Sequence, residues 1–221
     1  MRHIFISIRL LLLPILNTMY FFFSLGRVRY PNFFINGRFY VKTKNIKFIS
    51  SVELKPNRGC PFFLSETWFD SIKISTLSSV FRNNYKYNSA KEIIINKTDP
   101  NNTLEAIHIK DIIGTKGSYR GFSNAYEYMN SVHDIYKSIM KNGYKKRNSL
   151  FSKFYGEIEA LIDEEGNVIK INSGNHRFAA AYLLDIEYIP VHICAIHSKH
   201  KPKNIFMLNN KIKTLISKND C

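Results

Sequence analysis

Residues 156–197 read GEIEALIDEEGNVIKINSGNHRFAAAYLLDIEYIPVHICAIH, and this stretch restricts the fold more than any other part of the chain. Ile158, Ala160 and Ile162 alternate with polar neighbours. Glu165-Gly166-Asn167 then turns the chain, and Val168, Ile169 and Ile171 bring it back, which is the pattern of a β-hairpin. Ser173 is a preferred N-cap residue, and a helix over 178–184 follows it. Small Ala179, Ala180 and Ala181 let that helix lie close against a sheet, and 189–193 supplies the next strand, opened by Pro190. None of these elements can bury its apolar face alone. The expected architecture is therefore α/β (α+β), with a small mixed sheet and packed helices.

The chemistry-bearing residues crowd the point where the helix begins. A helix start presents unpaired backbone N–H groups and the positive end of the dipole, so it suits an anion, phosphate above all. Gly174 lets ligand and backbone approach closely, and Asn175 can hold an oxygen without adding charge. His176 offers a switchable donor and Arg177 a bidentate fork. Ser173, Gly174, Asn175, His176 and Arg177 are thus the candidate phosphate-binding residues. The competing reading is a capped helix whose His and Arg tie down the hairpin. Catalysis would also need a base or a carboxylate to assist a metal ion. Glu157 and Glu159, on one face of the first strand, are the nearest candidates beside His176, with Asp163 third; a solvated strand face is the alternative. His197 at the end of the next strand can face the same site or be structural.

Gly174, His176, Arg177, Ala179, Ala180, Leu183, Ile189, Pro190 and Val191 together resemble the ParB/sulfiredoxin-like superfamily. The resemblance covers about 45 residues and reaches upstream toward 134–145. It implies a core in which the helix start binds nucleotide phosphates. The superfamily includes CTP-hydrolysing partition proteins, ATP-dependent sulfiredoxins and kinases acting on free serine. Sulfiredoxins carry a catalytic Cys where this chain has Asn175, which sets thiol chemistry aside. Partition proteins carry a helix-turn-helix after the core, and 24 residues follow His197 here, too few for one. The resemblance therefore implies a nucleotide-binding protein: ATP or another nucleoside triphosphate with Mg²⁺, and phosphotransfer to a hydroxyl acceptor. The alternatives are a nucleic-acid-binding module and a non-catalytic membrane-tethered adaptor.

Elsewhere the sequence is less specific. Residues 4–26 are the most hydrophobic stretch and admit three readings: a membrane-associated helix, a cleaved signal, or a helix packed on the body. The flanking Arg27, Arg29 and Arg38 would keep the body on the cytoplasmic side of a membrane. Residues 33–50, with their Asn-Gly turn and alternating Phe39 and Val41, read as a hairpin. A loop is expected at 96–103, and a Gly-rich basic loop at 114–125 carries Lys116 and Arg120. An amphipathic helix is expected within 123–145, with Tyr128, Met129, Val132, Ile135, Tyr136 and Ile139 on its apolar stripe and Gly143 at its end. Another is expected over 205–216. Residues 60–110 suggest no functional role. The organisation that follows is a hydrophobic helix (1–26), an N-terminal elaboration (27–130), the ParB/sulfiredoxin-like core (131–200) and a basic tail (201–221).

Charge is distributed unevenly. Residues 1–58 hold ten basic side chains against one acid, and 198–221 hold six lysines against one aspartate. The stretch between is almost balanced, although the whole chain carries +15. Basic ends suit nucleic acid or an anionic membrane surface. A composition rich in Lys, Asn, Ile, Phe and Tyr also produces a basic surface with no partner behind it. Three widely spaced cysteines, Cys60, Cys194 and Cys221, suggest neither a zinc cage nor a disulfide framework, and favour a reducing compartment. Oligomeric state is left open.

Overall fold

The hairpin forms as its pattern requires. β5 (Ile158–Ile162) and β6 (Val168–Lys170) pair antiparallel, with Leu161 opposite Ile169. The turn between them is held by Asp163, whose side chain accepts from the backbone N–H of Asn167 at 2.7 Å, and by Gly166 at φ 95°. The chain then enters helix α6 (Asn175–Leu183), crosses over β5, and returns as β7 (Tyr188–His197), parallel to β5. This computed structural model describes residues 39–51, 63–144, 158–171, 173–202 and 207–218.

Four further strands come from the N-terminal half: β1 (Phe39–Lys42), β2 (Phe48–Ser50), β3 (Phe63–Leu64) and β4 (Ile74–Thr76). They complete one mixed sheet in the order β1-β7-β5-β6-β2-β4 among the described residues. The long β7 takes β5 along one edge; β1 lies against its start and β3 against its end on the other. Both halves of the chain therefore contribute to a single sheet, and the mixed α/β class is as expected.

The Asn-Gly turn of the hairpin expected within 33–50 lies outside the described residues, and the described strands of that stretch, β1 and β2, pair with other partners. β1 pairs with β7, while β2 pairs with β6 and β4. The alternation of Phe39 and Val41 is real and both are buried, but a buried alternating strand pairs wherever a complementary edge exists. Here β7, parallel-paired and apolar, offers the longer edge.

The helices are α1 (Glu66–Asp70), α2 (Leu77–Asn83), α3 (Tyr85–Ile94), α4 (Leu104–Lys116), α5 (Ala125–Asn142), α6 and α7 (Leu208–Lys218). α5 follows its predicted stripe: Tyr128, Met129, Val132, Tyr136 and Ile139 are buried, Ile135 is half-buried, and Gly143 caps it at φ 66°. Residue 131 lies inside this helix. α7 occupies Leu208–Lys218, close to the expected 205–216. α3 and α5 pack on either side of α6, which lies on the sheet face carrying Ile158, Ala160 and Ile162. The opposite face carries Leu161, Ile169, Ile171, Cys194 and Ala195 beneath Trp68 and Phe69 of α1.

Among the described residues no helix is long and apolar enough to cross a membrane. The hydrophobic stretch 4–26 lies outside them. So do Cys60 and Cys221; Cys194 is buried with a free thiol.

Ala179, Ala180 and Ala181 have no exposed surface, which is why α6 sits so near the sheet and α3. Ala180→Leu should cost about 1–3 kcal/mol by overpacking, seen as a lower midpoint in chemical denaturation. An unchanged midpoint would mean that the helix is not seated as described.

Candidate functional site

The start of α6 differs from the capped helix expected. Helix α6 begins at Asn175, earlier than 178, and its N-cap is Gly174 at φ 75°, ψ 23° rather than Ser173. This is the left-handed region, open to glycine at little cost. Gly174 has no side chain, so no side chain caps the helix from that position. The first intrahelical bond runs from the N–H of Phe178 to the carbonyl of Gly174 at 2.9 Å, so the amides of 175–177 precede it. Those three amides keep the positive pole of the helix available. Ser173 is half-buried in the preceding turn.

Two side chains of the motif turn inward. Asn175 Oδ1 accepts from the Nζ of Lys170, at the end of β6, and from the Tyr87 hydroxyl of α3 at 3.2 Å. Lys170 has no exposed surface. It follows Val168 at the two-residue period, so it leaves the strand on the helix-bearing face, beneath the start of α6. Its Nζ also donates to the carbonyl of Ile171. A neutral amine has two N–H groups, and both are used; protonation would add a third. Burial accordingly pushes the Lys170 amine down to about 7, a shift aided by the nearby Lys86 charge and opposed by Glu159.

His176 meets a carboxylate from a distant part of the chain. Its Nε2 lies 2.9 Å from Oε1 and 3.0 Å from Oε2 of Glu105, in the first turn of α4. The Glu105 side chain is fully buried and that of His176 is 12% exposed. Tyr128 of α5 donates to the same carboxylate at 3.2 Å. Thr103 caps α4, accepting from Ala106 at 3.3 Å, and the Ser89 hydroxyl accepts from the backbone N–H of Glu105 at 3.0 Å, so the carboxylate is fixed from both sides. Burial raises the phenols of Tyr87, Tyr128 and Tyr136, and the Glu105 charge adds to this for the latter two, so all three remain protonated donors. The Tyr136 hydroxyl is buried with no hydrogen-bond partner among the described residues.

Arg177 is half-buried, with no hydrogen-bond or ion-pair partner among the described residues. Lys86, at the start of α3, is close enough to Lys170 to depress it. The Gly-rich basic loop is placed at the edge of the same assembly. Tyr119 and Phe122 bridge across Arg120 and Gly121, both at positive φ, and their rings pack on Tyr128 with centroids 5.1 and 5.6 Å away.

Of the carboxylates expected on the hairpin, Glu159 and Asp163 are described. Glu157 is outside the described residues. Glu159 alternates with Ala160 on β5; burial, and then the Glu159 charge, push the Cys194 thiol well up, and the same charge acts on Lys170. Asp163 holds the hairpin turn. His197 packs on Phe69 at 5.1 Å, on the α1 side of the sheet, away from the start of α6. Among the described residues no group of three His, Cys, Asp or Glu is placed to hold a metal ion.

The sequence reading missed Lys170, Glu105, Tyr87, Tyr128 and Lys86. Lys170 had a legible signal, being a lone cation in an apolar strand bounded by Ile169 and Ile171. Glu105 had none, since an acid in a helix's first turn is ordinarily read as a response to the dipole. No protein-family model, no curated protein and no solved structure matches this chain.

Proposed function

We propose that the chain binds a nucleoside triphosphate by its phosphates at the start of α6, as the resemblance to ParB/sulfiredoxin-like domains implies, and transfers a phosphoryl group to a hydroxyl acceptor. One observation supports this above the others: the fully buried Lys170 is hydrogen-bonded to Asn175 directly under an uncapped helix start. Burying an amine here disfavours its charged form, and an anion at the helix start is what would stabilise that form.

The remaining groups fit the same ligand. The amides of 175–177 point to the ligand position, and Arg177 supplies a free fork in the first turn. Lys86 adds a third cation from another helix. Phosphoryl transfer needs mainly position and neutralised charge, which three cations from three elements supply. The Mg²⁺ that accompanies a nucleotide would be held by phosphate oxygens with few protein ligands.

Thermal unfolding of the full chain with ATP, CTP or GTP and Mg²⁺ tests the site. A nucleotide at 100 times its dissociation constant should stabilise the wild type by about 2.7 kcal/mol. Arg177→Ala should leave the unliganded midpoint nearly unchanged and weaken binding at least tenfold, about 1.4 kcal/mol. If no nucleotide shifts the wild type, or if Arg177→Ala retains full affinity, the helix start is only structural.

A further inference from the structure

His176 and Glu105 lie 71 positions apart and meet at the edge of the proposed phosphate site. We infer that they form a base dyad: Glu105 is the positioning residue, and His176 takes the proton from the hydroxyl that receives the phosphoryl group. This rests on the nucleotide reading above.

The geometry fixes which imidazole nitrogen acts. A carboxylate only accepts, and both Glu105 oxygens lie within 3.0 Å of Nε2, so Nε2 carries a hydrogen, and in the neutral imidazole the lone pair is on Nδ1. Tyr128 donates to the same carboxylate at 3.2 Å, which holds it in place. Nδ1 has no partner among the described residues, and it is not one of the polar atoms sealed off inside them. The side chain is 12% exposed. A base oriented by a buried carboxylate on its far nitrogen is the arrangement that holds an imidazole in one tautomer for proton transfer.

The group that Nδ1 serves must have a proton to give up: a hydroxyl has one, and a carboxylate does not. The hydroxyl oxygen then attacks the terminal phosphorus and its proton passes to Nδ1. The bond from phosphorus to the bridging oxygen breaks, and the nucleoside diphosphate leaves with that electron pair.

Other ionisable groups surround the dyad and enter its pH profile. α3 brings Tyr85, Lys86 and Tyr87; α4 brings His108, whose ring packs at a tilt against Tyr85 with centroids 4.4 Å apart; α5 brings Tyr128 and Tyr136. The turn after α4 brings Tyr119 and Arg120, and β6 brings Lys170.

The test uses the full chain and two readouts. In ¹⁵N-histidine-labelled protein, His176 should show the Nε2–H tautomer, assigned by its loss in His176→Gln. With Mg²⁺ and ATP, and water in the place of the acceptor hydroxyl, wild type should release ADP and inorganic phosphate. In Glu105→Gln the amide can present its NH₂ to Nε2, so the tautomer should shift toward Nδ1–H. ADP release should then fall at least about 100-fold, with ATP affinity kept within about twofold. A wild type in the Nδ1–H tautomer, or a Glu105→Gln variant with unchanged turnover, overturns the dyad while leaving nucleotide binding intact. ATP bound without ADP release above a buffer blank also overturns it. Failure of any nucleotide to bind overturns the underlying reading instead, whatever tautomer is seen.

Discussion

Lys170→Met should flatten the pH dependence of stability between neutral and alkaline pH. The folded-state amine lies at about 7, against an ordinary value of 10.5. Between these values the unfolded chain holds a proton that the folded chain does not, so wild-type stability rises with pH there. Below about 7 the amine is charged in both states and the burial cost is carried in full. The window spans about 3.5 pH units, up to about 5 kcal/mol in all, with about 3 kcal/mol of it between pH 6.5 and pH 9. Chemical denaturation across that range, wild type beside Lys170→Met, reads the difference directly, because other titrations cancel. The variant should compare best with wild type at the acid end. Parallel curves would mean that the amine is not buried as described. Nucleotide bound at neutral pH should also draw a proton onto Lys170, so its affinity should fall as pH rises from 7 to 9.

Glu105→Ala should be the most damaging single truncation at the site, costing about 3–5 kcal/mol. It leaves the Nε2–H of His176 and the Tyr128 hydroxyl without their acceptor in a buried space that already holds the Tyr136 hydroxyl, unpaired among the described residues. For a chain of this length that corresponds to a midpoint lowered by roughly 10 °C, measurable by thermal unfolding. A double-mutant cycle with His176→Leu isolates the pair, whose coupling should exceed about 1 kcal/mol. Independent, additive effects would show that the carboxylate and the imidazole do not interact. Glu105→Gln keeps the shape and much of the hydrogen bonding, so it is the milder change and the better one for probing chemistry.

The site lies at the convergence of five elements, which explains its uneven legibility. The motif 173–177 could be read because a Gly turn and a helix start are local events, dictated by residues a few positions apart. What lies beneath and beside the motif is not local. Tyr87 precedes Asn175 by 88 positions, and Glu105 precedes His176 by 71. Nothing at positions 87 or 105 marks a partner so far along the chain. His176 illustrates the result: by sequence it was a phosphate donor, and in the structure its Nε2 is occupied by a carboxylate, leaving Nδ1 as the available nitrogen.

By itself the sequence determined the hairpin of β5 and β6, the amphipathic α5, the Ala-lined α6 and the mixed α/β class, because short-range periodicity and turn residues specify each. Only the tertiary structure decided that β1 pairs with β7, and β2 with β6 and β4. It also placed a lysine and a glutamate, neither exposed, against the two central residues of the Gly-Asn-His-Arg motif. Strand partners and buried charges are chosen by which surfaces meet when the sheet closes under its helices. That choice depends on the whole chain and is written in no single stretch of it.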